Sequence, residues 1–369
     1  MTSSPPIRTF RSSQPPFDHT KMKPSIRPLF TLLFLFAATF TFRQLFTGAV
    51  DDLGNTHLVM KFAEVDLGEV SLRQNVEQLV GGDFRTAKRS FLSAGRVGKN
   101  VRGSGFLDLR SPEFSQLRLE VRKALQDWWR KRRFSTDVMS KMARKYRSCA
   151  VVGNSGILLK SELGGEIDGH EFVIRLNNAR IGGFEKFVGS KTGLSFMNSN
   201  ILHLCSRRGG CFCHPYGENV PIMMYMSQPV HFLDYAVCNS SHKVGLMITD
   251  PGLDVLCARI VKYYSVKRFV KETGKSLEEW SGTHGGAEFH YSSGMQAVMF
   301  ALGVCDKVSI FGFGKSDLAK HHYHTNQKTE LSLHDYQAEY DLYEDLVKSP
   351  QNVPFISDKF DFPTVVIHR

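Results

Sequence analysis

The stretch Cys149–Thr192, CAVVGNSGILLKSELGGEIDGHEFVIRLNNARIGGFEKFVGSKT, decides the reading of this chain. Ala150 to Val152 is a short apolar run that breaks into the polar turn Gly153-Asn154-Ser155-Gly156, and a second apolar run ends in Asn177-Asn178. Short apolar runs between turn signals read as buried strands. In an open α/β sheet, the loop leaving the carboxyl end of a strand is where ligands sit. A Gly/Asn/Ser turn alone is an ordinary connection, so the weight of the reading rests on what lies downstream.

Downstream, strands and helices alternate. His170 to Leu176, Leu194 to Met197, Val220 to Met226, Gly245 to Thr249 and Lys307 to Phe313 read as strands, and Leu253 to Tyr264, Ser293 to Val304 and Tyr336 to Val347 as helices. This alternation predicts an α/β fold, a mostly parallel sheet with helices on both faces. No internal repeat or low-complexity segment interrupts it.

The net charge of +11 first suggests a nucleic-acid partner, but its location excludes one. Residues 1–27 hold +4 and residues 118–147 hold +8, so the remainder sums to −1 and offers no polyphosphate-binding surface. The first basic segment precedes Leu29 to Phe42, LFTLLFLFAATFTF, an uncharged run closed by Arg43. It extends to Phe46 if Arg43 snorkels, and approaches the ~20 residues of a spanning helix. Positive residues before it and Asp51-Asp52 after it orient the amino terminus to the cytosol. With Thr47-Gly48-Ala49 a poor cleavage site, we read an uncleaved signal anchor, short enough for a thin membrane of the early secretory pathway.

The seven cysteines all follow the anchor, as expected of a body in an oxidising compartment; their odd number leaves at least one thiol free or intermolecular. Asn239-Ser240-Ser241 is a glycosylation sequon consistent with that topology. Residues 47–110 have weak periodicity and read as a stem, with a local helix over Glu69 to Val80 and little packed core. Phe114, Leu117, Val121, Leu125 and Trp128 then draw one apolar stripe on a helix from about Pro112 to Arg133. The cations Arg130-Lys131-Arg132-Arg133 at its end suit the helix dipole, and we read them as a solvated helix end rather than a lipid or donor-phosphate contact.

Two further constellations carry chemistry. Ser292 and Ser293 open a helix with Gly294 in its first turn, and free backbone amides, two hydroxyls and the helix dipole there suit a carboxylate or phosphate. His321-His322-Tyr323-His324 is followed by His334 and, five positions on, Glu339. The spacing does not match a closed zinc site. General-base chemistry suits it better: a near-neutral imidazole takes a proton from a sugar hydroxyl, an adjacent histidine or tyrosine holds a departing phosphate, and Glu339 buttresses the loop.

Together these stretches resemble the sialylmotifs of eukaryotic sialyltransferases. The large motif matches from Cys149 to Thr192, the small motif from His290 to Gly314, motif three at His322-Tyr323-His324, and the very small motif from His334 to Glu339. The resemblance implies a variant GT-A fold, a Rossmann-like α/β/α sandwich needing no metal or other cofactor, and this chain has no Asp-x-Asp. It implies that Asn154 and Asn177 hold the nucleotide and phosphate, that Ser155 and Gly156 line the donor pocket, and that Ser292, Ser293 and Gly294 meet the donor ribose or carboxylate. It further implies that His322 and Tyr323 steady the leaving phosphate, that His334 deprotonates the acceptor, and that Cys149 and Cys305 form a disulfide.

The family usually has Pro where this chain has Arg180, Arg where it has Lys191, Pro where it has Tyr291 and an acid where it has Thr325. The Asn-Asn-Ala-Arg turn and HHYHTNQK resemble the plant sialyltransferase-like branch, which has been associated with Golgi synthesis of cell-wall glycans. The expectation is an inverting Golgi glycosyltransferase, a single-pass type II protein: tail 1–27, anchor 28–46, stem 47–110 and lumenal catalytic domain 111–369. Its donor is expected to be CMP-sialic acid or a related CMP-sugar, its acceptor a glycan or glycoprotein, and its partners the Golgi membrane and other glycosyltransferases. Two alternatives are UDP-galactose as donor for arabinogalactan-type glycans, and a non-catalytic glycan-binding scaffold.

Overall fold

Alternation within the strands builds the two faces of the sheet. In β1 (Cys149–Val152), Cys149 and Val151 point into one core while Ala150 and Val152 point into another. Ile174 and Leu176 of β2 (Phe172–Leu176) join the first core, and Val173 the second. The strand period of 2 thus yields an α/β/α sandwich, built here on the computed structural model. It describes residues 56–81, 112–201, 213–241, 243–286, 289–314, 319–325, 333–356 and 360–368, all within the unit Thr56–Arg369. The expected tail and anchor, 1–27 and 28–46, lie outside the described residues, among which no helix is long and apolar enough to cross a membrane.

The remaining strands are β3 (Leu194–Asn198), β4 (Ile222–Tyr225), β5 (Met247–Ile248), β6 (Lys307–Phe311) and β7 (Thr364–His368). Every pairing is parallel, in the order β5-β4-β3-β2-β1-β6-β7. The chain runs outward from β1 through β5 on one side and resumes on the other with β6. The carboxyl ends of β1 and β6 are therefore the topological switch point, where their loops diverge and leave a crevice.

The main helices among the described residues, in chain order, are α1 (56–64), α2 (Glu69–Gly81), α3 (Pro112–Lys131), α4 (Gly164–Asp168), α5 (Glu185–Val188), α6 (Phe232–Ser241), α7 (Pro251–Thr273), α8 (Leu277–Thr283), α9 (Ser293–Val304) and α10 (Tyr336–Lys348). The expected helices are present, with α7 running past Tyr264 until Gly274 caps it at φ 66°. The expected strand Gly245 to Thr249 shortens to two residues at the sheet edge. The elements that went unpredicted include β7, α6 and the short helices α1, α4, α5 and α8. The disulfide Cys149–Cys305 ties the start of β1 to the end of α9. A second disulfide, Cys213–Cys238, ties the segment before β4 to α6, and Cys257 is a buried free thiol.

Part of the segment expected as a loosely packed stem folds onto the body. Val59 and Ala63 of α1 are buried in the main core, and Val76 of α2 joins a third cluster with Val121, Leu125 and Trp128 of α3. Lys262 of α7 donates to the carbonyls of Phe62 and Val65 at 2.9 and 2.8 Å, and its ammonium lies 4.4 Å from the Phe62 ring centre. The basic end of α3 is structural as well: Arg132 pairs with Asp66, while Arg130 and Lys131 pair with Asp127. Asn239 is exposed on α6, its Oδ1 accepting from the Leu246 amide.

Candidate active site

A cleft of about 480 Å³ opens at the switch point, lined by the loops after β1, β2, β3, β4 and β6, the start of α9, and residues of the 319–325 and 333–340 segments. Ligand pockets commonly have this size. Of the residues singled out from the sequence, Asn154, Ser155, Asn177, Ser292, Ser293, Gly294, His322 and His334 line it.

The loop after β1 is pinned by its neighbour across the switch point. Gly153 N–H donates to the Phe311 carbonyl at 2.7 Å, and a Cβ on Gly153 would meet the Gly312 carbonyl oxygen at 2.6 Å. Ser155 Oγ donates to the Gly314 carbonyl at 2.7 Å and caps the following turn by accepting from Ile157 N–H. Between them, the Asn154 carbonyl accepts from Tyr323 N–H at 2.9 Å, whereas the Asn154 side-chain oxygen is buried with no hydrogen-bond partner among the described residues. A buried polar atom without a partner is uncommon and is satisfied by a ligand or water.

Asn177 holds the second wall. Its φ of 54° is left-handed, a conformation asparagine tolerates better than most residues. Its Oδ1 accepts from Asn198 N–H at 2.9 Å, and its Nδ2 lies 3.4 Å from Ser293 Oγ. One side chain thus couples the ends of β2 and β3 to the start of α9.

The start of α9 differs from the sequence reading in one important respect. Ser292 caps the helix, accepting from Met295 N–H at 3.1 Å. Its own N–H and Oγ–H both donate to the Glu339 carboxylate, each at 2.6 Å. The carboxylate that this helix start was expected to read in a ligand is thus partly supplied by the protein. Glu339 is fully buried, and burial pushes its carboxyl up to about 7 against the opposing pull of the Ser292 bonds.

His334 Nδ1 lies 2.9 Å from the His290 carbonyl. A carbonyl only accepts, so Nδ1 carries the proton and the basic lone pair belongs to Nε2, the tautomer a general base needs. A line of rings leads on from it: His334 to Tyr336 at 5.6 Å, Tyr336 to His321 at 5.6 Å, and His321 stacked on His322 at 4.4 Å. Burial lowers the His322 pKa, favouring the neutral ring, and His324 is pushed down to about 4 by burial, then by His322 and Arg180.

Two expected site residues do not line the cleft. Gly156 faces the backbone of Lys320, where a Cβ would meet the carbonyl oxygen at 2.6 Å; its role is to let that segment close over the β1 loop. Tyr323 is buried against Phe184, and its hydroxyl donates to the Arg180 carbonyl at 2.6 Å, so it holds the loop after β2 rather than a phosphate. The Arg130–Arg133 cluster is also absent from the lining. Conversely, Asn198, Asn200, Tyr225, Ser227, Gln228 and Tyr336 line the cleft without having been singled out. Asn198 to Asn200, Ser227 and Gln228 all lie at or just past the carboxyl ends of correctly read strands, so the rule applied to Gly153–Gly156 would have found them.

A family model described as glycosyltransferase family 29 (sialyltransferase) matches residues 106–351. The chain is 46% identical to beta-1,6-galactosyltransferase GALT29A of Arabidopsis thaliana, over 94% of this chain and 100% of that protein. It is 49% identical to sialyltransferase-like protein 1 of Oryza sativa subsp. japonica, over 84% of this chain and 87% of that protein. To CMP-N-acetylneuraminate-beta-galactosamide-alpha-2,3-sialyltransferase 1 of Mus musculus it is 30% identical, over 53% of this chain and 55% of that protein.

Proposed function

The chain belongs to glycosyltransferase family 29 and is a glycosyltransferase, and from this premise we propose that it moves a sugar from a nucleotide-sugar to a glycan hydroxyl, with His334 as base. The observation that carries this reading is the convergence of His334, Asn154, Asn177 and the start of α9 on one cleft. His334 Nε2 takes the proton as the acceptor oxygen bonds to the anomeric carbon. The bond from that carbon to the phosphate oxygen breaks, and the nucleotide leaves with the electron pair. His322, favoured neutral, offers an N–H to that phosphate and the amino end of α9 faces it, while the buried Asn154 side-chain oxygen is placed to accept from a donor-sugar or ribose hydroxyl. A single displacement inverts the anomeric centre.

Two observations favour galactose from UDP-galactose over a CMP-linked acidic sugar. The Arabidopsis relative, similar along nearly the whole chain, is named a beta-1,6-galactosyltransferase. UDP-galactose is α-linked, so inversion yields a β product. Secondly, Glu339 already occupies the Ser292 N–H and hydroxyl, part of the Ser292-Ser293-Gly294 helix start expected to read a sugar carboxylate. We further propose that residues 28–46 anchor the chain in the Golgi membrane with the body in the lumen. The two disulfides among the described residues support an oxidising compartment.

The test is transfer of labelled galactose from UDP-galactose to a β-linked galactan by the detergent-solubilised full chain, with CMP-sialic acid as competing donor. His334→Ala is expected to lower kcat by about 10²–10⁴-fold while nucleotide binding persists. Wild-type turnover by that variant would sink the base assignment, and transfer from CMP-sialic acid alone would reverse the donor.

A further inference from the structure

The wall of the cleft at β3 and β4 holds polar groups that the transfer step leaves unused. Among them Ser227 is distinguished by what stands behind it. Its Oγ lies 3.0 Å from Ser199 Oγ, and Ser199 Oγ lies 2.9 Å from His231 Nδ1. Ser227 N–H donates to Ser199 Oγ at 3.0 Å, and His231 Nδ1 is 3.4 Å from Ser227 Oγ itself. Ser199 is 0% and His231 1% exposed, while Ser227 is half-buried at the cleft. Burying two hydroxyls and an imidazole is costly unless they satisfy one another, and a satisfied network rigidifies its members. A serine hydroxyl ordinarily rotates to suit its surroundings. This one is restrained from behind and presents its remaining capacity to the cleft.

Position identifies the ligand group that meets it. The segment carrying His321 and His322 closes over the loop after β1, through Gly156 against Lys320 and through Tyr323 N–H on the Asn154 carbonyl. The reacting sugar belongs under those imidazoles, and the phosphate belongs between the β1 loop and the amino end of α9. From there β2, β3 and β4 step away in order, three strand spacings or about 14 Å from β1 to β4. A nucleoside extended from that phosphate has this direction open to it, and brings a pyrimidine edge to Asn198, Asn200, Ser227 and Gln228. Hydroxyl and amide side chains supply both donors and acceptors for such an edge.

Resting on the nucleotide-sugar reading above, we propose that Ser227 reads the nucleobase of the donor, with Ser199 and His231 as positioning residues that fix its hydroxyl. The test is calorimetric binding of UMP, CMP and ribose 5-phosphate, which lacks the base, to the detergent-solubilised full chain. Ser227→Ala is expected to weaken whichever nucleotide the wild type prefers by about five- to tenfold, the loss of one hydrogen bond, and to leave ribose 5-phosphate unchanged. Ser227→Thr keeps the hydroxyl and should restore most of the affinity. His231→Gln should weaken the same nucleotide, and its effect should not add to that of Ser227→Ala, as expected for residues in one network. Equal weakening of ribose 5-phosphate, additive effects, or a change confined to the KM of the glycan acceptor would overturn the assignment. A wild-type chain that binds neither nucleotide would instead remove the nucleotide-sugar reading itself.

Discussion

Glu339→Gln separates the two roles that a buried carboxylate at this site plays. In the wild type both carboxylate oxygens accept from Ser292, each at 2.6 Å. Hydrogen bonds to a charged group contribute about 1.5–3 kcal/mol each. A glutamine offers one acceptor and turns an amide N–H toward the other Ser292 donor, so about one such bond is lost. Against this stands the cost of the buried charge. Burial raises the Glu339 pKa from 4.5 to about 7, which corresponds to about 3 kcal/mol. Because the folded value lies above the unfolded one, that stability is present below pH 4.5 and is lost as the pH rises through about 7. At pH 8 the two effects nearly cancel, and Glu339→Gln should unfold within a few degrees of the wild type. Its pH dependence should differ: the variant should lose part of the wild-type decline in stability between pH 5 and pH 8. Activity should fall regardless, because the Ser292 cap places the first turn of α9, and a displacement of about 1 Å at a phosphate-holding element costs on the order of 10²-fold. Thermal denaturation across that pH range, together with kcat/KM at pH 8, measures both. An unchanged pH slope, or full activity in a folded variant, would refute the reasoning.

Asp254, fully buried, accepts from Thr249 at 2.9 Å and from the Gln296 amide, and burial raises its carboxyl from 3.8 to about 7. The sign is again loss of stability as the pH rises through about 7, so Asp254→Asn should flatten another part of the same slope in thermal melts. Asn154→Ala should weaken nucleotide binding by about tenfold in calorimetry while moving the melting temperature little, because its side-chain oxygen has no protein partner among the described residues to lose. Lys262→Met leaves the Phe62 and Val65 carbonyls without their ammonium and should speed proteolysis of residues 56–66 while donor binding is retained. A chelator should leave transfer rates unchanged, since the proposed step uses His334 rather than a metal; loss of activity restored by a divalent cation would contradict it.

The parallel sheet was legible because its strands are buried on both faces and read as apolar runs, as in Cys149–Val152 with all four residues buried. The edges were not. β7, TVVIH, has one fully buried residue and earns its place only by pairing with β6 more than 50 positions earlier. Its partner is nonlocal, and a five-residue run carries too little pattern to announce it. The same holds for α1 and α2. The periodicity around them is weak and the charge mixed, so the segment read as a stem, yet Val59, Ala63 and Val76 each sit in a core supplied by distant elements.

Within the site, residue types announced chemistry but not which partner consumes it. Ser292-Ser293-Gly294 was correctly read as a helix start with donors to spare, and a carboxylate does lie against it. That carboxylate is Glu339, 47 positions away and brought there by the packing of α10. A sequence pattern that favours an anion cannot distinguish a ligand's anion from the protein's own, because both satisfy the same amides. The distinction changes the donor argument. With Ser292 committed to Glu339, the polar side chains lining the cleft include those of Asn154, Ser227 and His334, and no Lys or Arg is among the described lining residues. A site so composed recognises phosphate through the helix dipole and neutral donors, and hydroxyls and base edges through neutral polar groups. Among the described residues the lining offers no cationic side chain to a carboxylate on the transferred sugar, in keeping with the galactose donor proposed above.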